Sequence, residues 1–411
     1  MQAAGWLGPW WKTLPKRWGH PWHSMCSYLA MFPPSLPRYF IEQCSKPGEI
    51  VLDPFSGRGT APLEACLAGR IGAGSDANPL AALLTAAKVD PPTLEQSTAR
   101  VDELRQSYKR RLVTHEAPRE IAMLFDGRRT LPQLLHARSL LSQEDTTDRH
   151  LLAVLCGILH GNHPHDAKQS RTLSISMPNT FSMSPNYIEK YVRKHHLRKI
   201  PFDVFALLDR RLKHLHRDDP PPTKGLASRL DARHVDTWLQ HGSVSLIISS
   251  PPYLRVVRYG KYNWIRLWLL QESVQEVDKR LRVEATDTRL SLSDQLKFPA
   301  YCEFLEATLS SCQKLLRPGG TCVLVIGDVD TPDGEHINLA WEAWKHLRKT
   351  SSLKLAEIIE DSLESSGKVT RIWGSRKGNA TKTDRILVLS NPGGKRHRPK
   401  RPSTVLATLL H

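Results

Sequence analysis

The apolar positions of this chain fall into short, dense runs closed by glycine, proline or acid, separated by longer stretches with helical spacing. The first run, Ile50-Val51-Leu52, stops at Asp53 and passes through Pro54-Phe55-Ser56-Gly57-Arg58-Gly59-Thr60. That pattern predicts a buried strand, a tight turn in which Gly57 and Gly59 take positive φ, and a helix behind it. A second run over 70–75 ends on Asp76, and the helix after it opens with Asn78-Pro79 and carries Leu80, Leu83, Leu84 and Ala87 on one face. Later runs predict strands at 228–232 (closing near Asp231), 244–249, 321–326, 353–359 and 384–389. Helices are expected over 36–44, 262–270, 299–316 and 337–349, with Pro318-Gly319-Gly320 as a hard stop and 273–298 as a charged helix and surface loop. Strands alternating with helices predict an α/β fold around a doubly wound, mainly parallel sheet.

Between 91 and 226 the alternation lapses. Pro91-Pro92 opens this region and Pro220-Pro221-Pro222 closes it. Helical spacing runs over 95–124, 131–142, 148–161, 186–196 and 202–216, and 172–183 is a non-helical piece rich in small hydroxyl and amide side chains. Basic residues cluster here, at Lys109-Arg110-Arg111, Arg128-Arg129, Arg193-Lys194-His195-His196, Arg210-Arg211 and Lys213. The reading is four parts: an arm and a first half of the α/β domain (1–90), an inserted basic helical module (91–226), a second half (227–392) and a basic tail (393–411). The tryptophans at 6, 10, 11, 18 and 22 read as an irregular arm packed across the main domain, with base stacking by one of them as the alternative.

Composition narrows the class. The 411 residues carry 58 Lys+Arg against 41 Asp+Glu, a net charge of +17, and that surplus points to a polyanionic partner, nucleic acid first. No apolar run reaches the ~18 residues of a membrane span, and the N-terminus has no signal-peptide core. Seven scattered cysteines without a Cys-x2-Cys pair argue against a disulfide framework or a zinc site, so a reducing cytoplasm is expected.

Asp76 lies at about the distance from the first strand at which a doubly wound nucleotide fold places its ribose-binding acid. A dinucleotide loop would need a third glycine where Pro62 stands, and no Gly-Lys-Ser/Thr follows for a phosphate cradle. An acid at the loop, an acid at the ribose position and no pyrophosphate grip suit a ligand with an adenosine end and a cationic end, such as S-adenosylmethionine. An ordinary strand–turn–helix is the plain alternative. The second motif, Ser250-Pro251-Pro252-Tyr253, ends the 244–249 strand. Its prolines remove two backbone donors and fix φ, so a serine hydroxyl and a rigid carbonyl there can accept hydrogen bonds from an exocyclic amine while Tyr253 faces a planar ring. Two acceptors on an aromatic amine localise its lone pair for attack on a sulfonium methyl, a matter of positioning and preorganised electrostatics. The plain alternative is a rigid turn that merely ends a strand.

Asp53-Pro54-Phe55-Ser56-Gly57-Arg58-Gly59-Thr60 together with Ser250-Pro251-Pro252-Tyr253 resembles the cofactor and catalytic motifs of the amino-methylating DNA methyltransferases, which act on cytosine N4 or adenine N6. The resemblance covers most of 25–90 and 227–390. It implies a Rossmann-like S-adenosylmethionine-dependent methyltransferase sheet with a mainly helical inserted target-recognition region. It implies cofactor contacts from Asp53, Phe55, Gly57, Gly59 and Thr60, ribose binding by Asp76, adenine binding by Asp231, and closure by the segment around Met31, Phe32 and Pro33. Ser250, Pro251, Pro252 and Tyr253 would hold a base flipped out of duplex DNA, and no metal is implied. Cofactor half, insert and catalytic half follow in that order, which resembles the class with its recognition region between the halves; Asp231 departs from it by following the insert. Serine at the first position of the second motif resembles the cytosine-N4 enzymes, with adenine N6 as the alternative and an exocyclic-amine RNA methyltransferase as the runner-up class. Cytosine C5 chemistry would need a Pro-Cys nucleophile that the chain lacks. Such an enzyme belongs to a DNA methylation or restriction-modification system, with a cognate restriction endonuclease as a further candidate partner; the oligomeric state is left open.

Overall fold

The computed structural model describes residues 11, 14, 19–29, 33–110, 116–164, 166, 169–252, 259–281, 297–330, 336–362, 371–373, 376–377 and 383–393. Its centre is a seven-stranded sheet: β1 (Ile50–Asp53), β2 (Ile71–Ser75), β3 (Leu226–Ser228), β4 (Val244–Ser249), β5 (Leu316–Gly327), β6 (Lys354–Ser362) and β7 (Thr383–Ser390). The strand order is 3-2-1-4-5-7-6. The first five pair in parallel, and β7 runs antiparallel to both β5 and β6. The doubly wound α/β expectation therefore holds, with one reversed strand near the edge.

The alternating strand pattern explains why both faces are covered. Leu52, Ile247, Cys322, Leu324, Ile326, Leu387 and Leu389 point to one face, where they meet Tyr301, Leu305, Leu309, Ala340 and Trp344. Their neighbours Val51, Leu246, Ile248, Val323, Val325, Ile386 and Val388 point to the other, against Tyr39, Phe40 and Ile41 of α1 (Ser35–Cys44) and Ala61 and Ala65 of α2 (Thr60–Leu67). Trp11 packs on Tyr39 and Phe40, as expected of an arm across the main domain, whereas Trp22, also buried, sets its ring against His150 and His216 of the helical region.

The connection from β2 to β3 is the helical region. α3 (Pro79–Val89) is followed by α4 (Leu94–Ser107), a short turn at Arg119–Ala122, then α5 (Thr130–Leu140), α6 (Thr146–Ile158), α7 (Pro185–Lys194) and α8 (Val204–Leu215). The stretch 95–124 is thus not one helix: α4 ends at Ser107, and Arg119–Ala122 is a separate single helical turn. These elements share a third core with α3, built from residues such as Leu84, Val101, Leu134, Leu155, Ile188 and Leu208. Two boundaries differ from the sequence reading. The helix expected over 299–316 does stop, at Leu315, but β5 begins at once with Leu316 rather than at 321, through a register shift against β4. The third strand ends at Ser228, and Asp231 caps a 3-10 turn (Ala232–Thr237). The basic tail at 395–401 and the loop at 282–296 lie outside the described residues. All seven cysteines are free and buried. Among the described residues no helix is long and apolar enough to cross a membrane.

Candidate active site

From β1 the chain steps to β2 and β3 on one side; from β4 it steps to β5 on the other. The carboxyl ends of β1 and β4 therefore flank the point where the winding reverses, which is where open α/β sheets bind ligands. Asp53 ends β1 and Ser249 ends β4, and the Ser249 hydroxyl donates to Asp53 Oδ1 at 2.5 Å. This bond holds the two sequence motifs side by side although nearly two hundred residues separate them. Asp53 Oδ1 also accepts from the Phe55 amide at 3.1 Å. The carboxyl is almost fully buried, and burial pushes its pKa up to about 7 against these two bonds, with the charge of Asp76 adding to the rise.

The loop after β1 takes the conformation its glycines permit: φ is 52° at Gly57 and 75° at Gly59. A Cβ on Gly59 would lie 2.9 Å from Thr85 Cα, so loop and α3 touch through bare backbone. Ser56 and Thr85 hydroxyls meet at 2.9 Å. The Gly57 amide donates to Asp76 Oδ2 at 2.9 Å, and the Asn78 amide donates to Asp76 Oδ1 at 2.9 Å. Burial pushes Asp76 up to about 6 in spite of both amides, and the neighbouring charge of Asp231 adds to the rise.

Around these acids stand two aromatic rings that sequence reasoning missed. Tyr28 stacks on Tyr259 with centroids 5.7 Å apart and planes 19° from parallel. The Tyr28 hydroxyl accepts from Asn78 Nδ2 at 2.8 Å, and a Cβ on Gly57 would sit 3.6 Å from its ring. Tyr28 lies in the arm and Tyr259 just ahead of the predicted helix, so no periodic signal singled out either. Ser249 was hidden beside Ser250.

The other predicted residues fall as follows. Phe55 packs against Phe304 at 5.7 Å. Thr60 is buried, and its hydroxyl accepts from Arg58 Nε at 3.2 Å. Asp231 is held by its own turn: it accepts from the Arg233 amide at 2.9 Å and from the guanidinium at 3.1 and 2.8 Å. Burial acts to raise its pKa, but the Arg233 bonds prevail and hold it below the usual range. Ser250 continues directly from β4, with Pro251 buried and Pro252 half-buried. Phe32 and Tyr253 lie outside the described residues. Among the described residues no group of acids, histidines and cysteines could hold a metal ion.

Pro62 has its explanation in packing. A Cβ on Gly72 would lie 2.0 Å from the Pro62 carbonyl oxygen, and one on Gly74 2.7 Å from Pro62 Cγ. The close helix–strand contact that a third loop glycine gives a dinucleotide fold is made here by glycines on the strand instead.

What the arrangement can do is set by its charge. Two buried carboxyls with raised pKa values stand together beside stacked aromatic rings, and a cation entering there would favour their ionised forms. Comparison with known proteins agrees in part of the chain. The N6/N4 DNA methylase family model, described as DNA methylase, matches residues 6–85. No curated protein matches the chain. Among solved structures, a candidate DNA modification methylase from Thermus thermophilus complexed with S-adenosyl-L-methionine aligns at 22% identity over 42% of this chain and 57% of its own, with a TM-score of 0.25. TrmN from Thermus thermophilus aligns at 12% identity over 90% of this chain and 52% of its own, with a TM-score of 0.30. The chain spans little more than half the length of either. Through its arm, glycine loop and second strand, residues 6–85, the chain is similar to the DNA methylases of the N6/N4 family.

Proposed function

We propose that this chain is an S-adenosylmethionine-dependent DNA methyltransferase that methylates the exocyclic N4 amine of cytosine, with the target base flipped out of the duplex. The observation that carries the reading is the Ser249–Asp53 hydrogen bond, which joins the end of the loop-bearing strand to the end of the strand that delivers Ser250 and Pro251.

Asp53 and Asp76 would hold the cofactor, with Gly57 and the Tyr28–Tyr259 pair forming the wall beside them and Phe32 and Asp231 completing the contacts that the family resemblance implies. Bound S-adenosylmethionine would supply an electrophilic methyl group on a sulfonium. The chain's own part is to accept and to orient. The Ser250 hydroxyl and the carbonyl of the proline pair accept hydrogens of the amine, and the prolines leave no backbone donor to compete. Tyr253 would stack on the flipped base.

The test is direct. Purified protein is incubated with methyl-labelled cofactor and either duplex DNA or transfer RNA, and the digested nucleosides are identified by mass spectrometry. N4-methylcytosine in DNA is the expected product. N6-methyladenine would overturn the choice of base, and label in transfer RNA alone would overturn DNA as substrate. Ser250→Ala and Tyr253→Ala are expected to lose transfer and keep cofactor binding, whereas Asp76→Ala raises the cofactor concentration required. Equal loss of cofactor binding in all three would sink this division of roles.

A further inference from the structure

α7 carries an unusual surface. Ile188 is fully buried and anchors the helix, while Tyr191 and Val192 pack partly against the same core. Tyr187, Lys190, Tyr191 and Lys194 follow at i, i+3, i+4 and i+7, so they form one stripe along the helix. His195 continues it at the C-cap. The rings succeed one another closely: Tyr187 to Tyr191 at 5.8 Å, Tyr191 to His195 at 4.4 Å. Lys190 and Lys194 are exposed, and among the described residues neither has an ion-pair partner. The helix's acid, Glu189, lies off the stripe and is taken up by Arg193 and Arg119.

The N-terminal end of this stripe opens into a groove lined by Ser182, Ser184, Tyr187, Lys261 and Tyr262. The groove is fixed to the catalytic half of the chain. The Ser182 amide donates to the Tyr262 carbonyl at 2.7 Å, and Trp264 Nε1 donates to the Met183 carbonyl at 2.6 Å. Three residues before Tyr262 stands Tyr259, whose ring stacks on Tyr28 beside Asp76. One short helical segment, Tyr259–Tyr262, thus shows a ring to the candidate cofactor site and a lysine and a tyrosine to the groove.

We infer that this groove and the α7 stripe form the track for the DNA strand next to the acceptor: a neighbouring base stacks on Tyr187 or Tyr262, Lys261 neutralises its phosphate, and Lys190 and Lys194 take the phosphates beyond. Charge and shape carry the choice of occupant. Flat rings alternating with lysines on one helix face match the alternation of bases and phosphates in a nucleic-acid strand. The inference rests on the methyltransferase reading.

The test measures binding separately from transfer. A Lys190→Ala/Lys194→Ala double variant is expected to lower the slope of log affinity against log salt for duplex DNA by about one unit per lysine. Tyr187→Ala is expected to raise the DNA KM about tenfold or more while cofactor affinity stays unchanged, and Tyr187→Phe should restore it. Because a variant can misfold, the unaltered protein is also probed by chemical labelling of lysines with and without duplex; Lys190, Lys194 and Lys261 are expected to become protected. Duplex binding that leaves these lysines unprotected, or variants with unchanged slope and KM, overturns this inference and leaves the methyltransferase reading intact. Protection by an RNA hairpin but not by duplex DNA overturns DNA as the occupant. Failure of the unaltered protein to bind either nucleic acid removes the reading beneath it as well.

Discussion

At the scale of single residues the decisive group is Asp53. Its pKa in the fold is about 7 against an ordinary value of 3.8, with burial as the main cause. Asp76 is shifted the same way, to about 6. Between pH 4 and 7 the folded chain therefore binds more protons than the unfolded one, and the stability these carboxyls contribute in their protonated form is lost as pH rises through that window. Melting of the cofactor-free protein should shift to lower temperature between pH 5 and pH 8, at ~1.4 kcal/mol per pKa unit involved. Asp53→Asn should flatten that dependence, since an amide still accepts from Ser249 but does not ionise. A cationic ligand works in the opposite sense. It favours the carboxylates, so S-adenosylmethionine affinity should rise from pH 5 to 8, with proton release on binding near pH 6. Calorimetry in two buffers of different ionisation enthalpy would detect those protons. Binding that is independent of pH and releases none would show that neither acid faces the cation.

Among the secondary-structure elements, the contact between α2 and β2 defines the loop. Gly72 and Gly74 let Pro62 lie directly on the strand, and Gly59 does the same for α3. Gly72→Ala would press a methyl group into a backbone carbonyl, and overpacking of that kind costs typically 1–3 kcal/mol or more when backbone must move. It should lower the urea midpoint and weaken cofactor binding together, because Asp76 directly follows the strand. Gly127→Ala, where nothing lies within 4 Å of the added atom and φ is not positive, is the control for the added methyl group alone. This element also shows what the sequence could and could not tell. The strand–loop–helix, the positive φ at Gly57 and Gly59 and the acids at both strand ends were legible, because they follow from local steric rules and punctuation. Pro62 could be read only as a missing glycine. Its compensation lies on another element, and a contact between elements leaves no periodic trace. Tyr28, Tyr259 and Ser249 escaped for the same reason: each matters by where the fold puts it, not by its neighbours in the chain.

The whole molecule joins two bodies of different pattern, a sheet with two covered faces and a helical region with its own core. The helical spacing of the second was visible, within a few residues except over 95–124, but its attachment was not. One part of that attachment is Arg266, which is fully buried. Its guanidinium donates to the Cys156 carbonyl at 3.1 Å, to Asn263 Oδ1 at 2.7 Å and to the Asn179 carbonyl at 2.8 Å. One side chain thus ties α6 and the 178–183 segment to the helix (Trp264–Leu269) that follows the second motif. Arg266→Met keeps much of the volume but leaves two buried acceptors and the part-buried Asn179 carbonyl without their donor, at about 1–3 kcal/mol for each that water cannot reach. Global stability should fall by several kcal/mol in denaturant titrations. Trp264→Phe, which removes the bond to Met183 and part of one buried ring, should be milder and leave the fold intact. If the attachment aligns the helical region with the acceptor motif, Trp264→Phe raises the DNA KM and leaves the cofactor dissociation constant unchanged, because Asp53 and Asp76 sit on the sheet. A parallel loss of cofactor affinity would show instead that the bond supports the sheet edge as a whole, and that the helical region is coupled to the donor site as closely as to the acceptor.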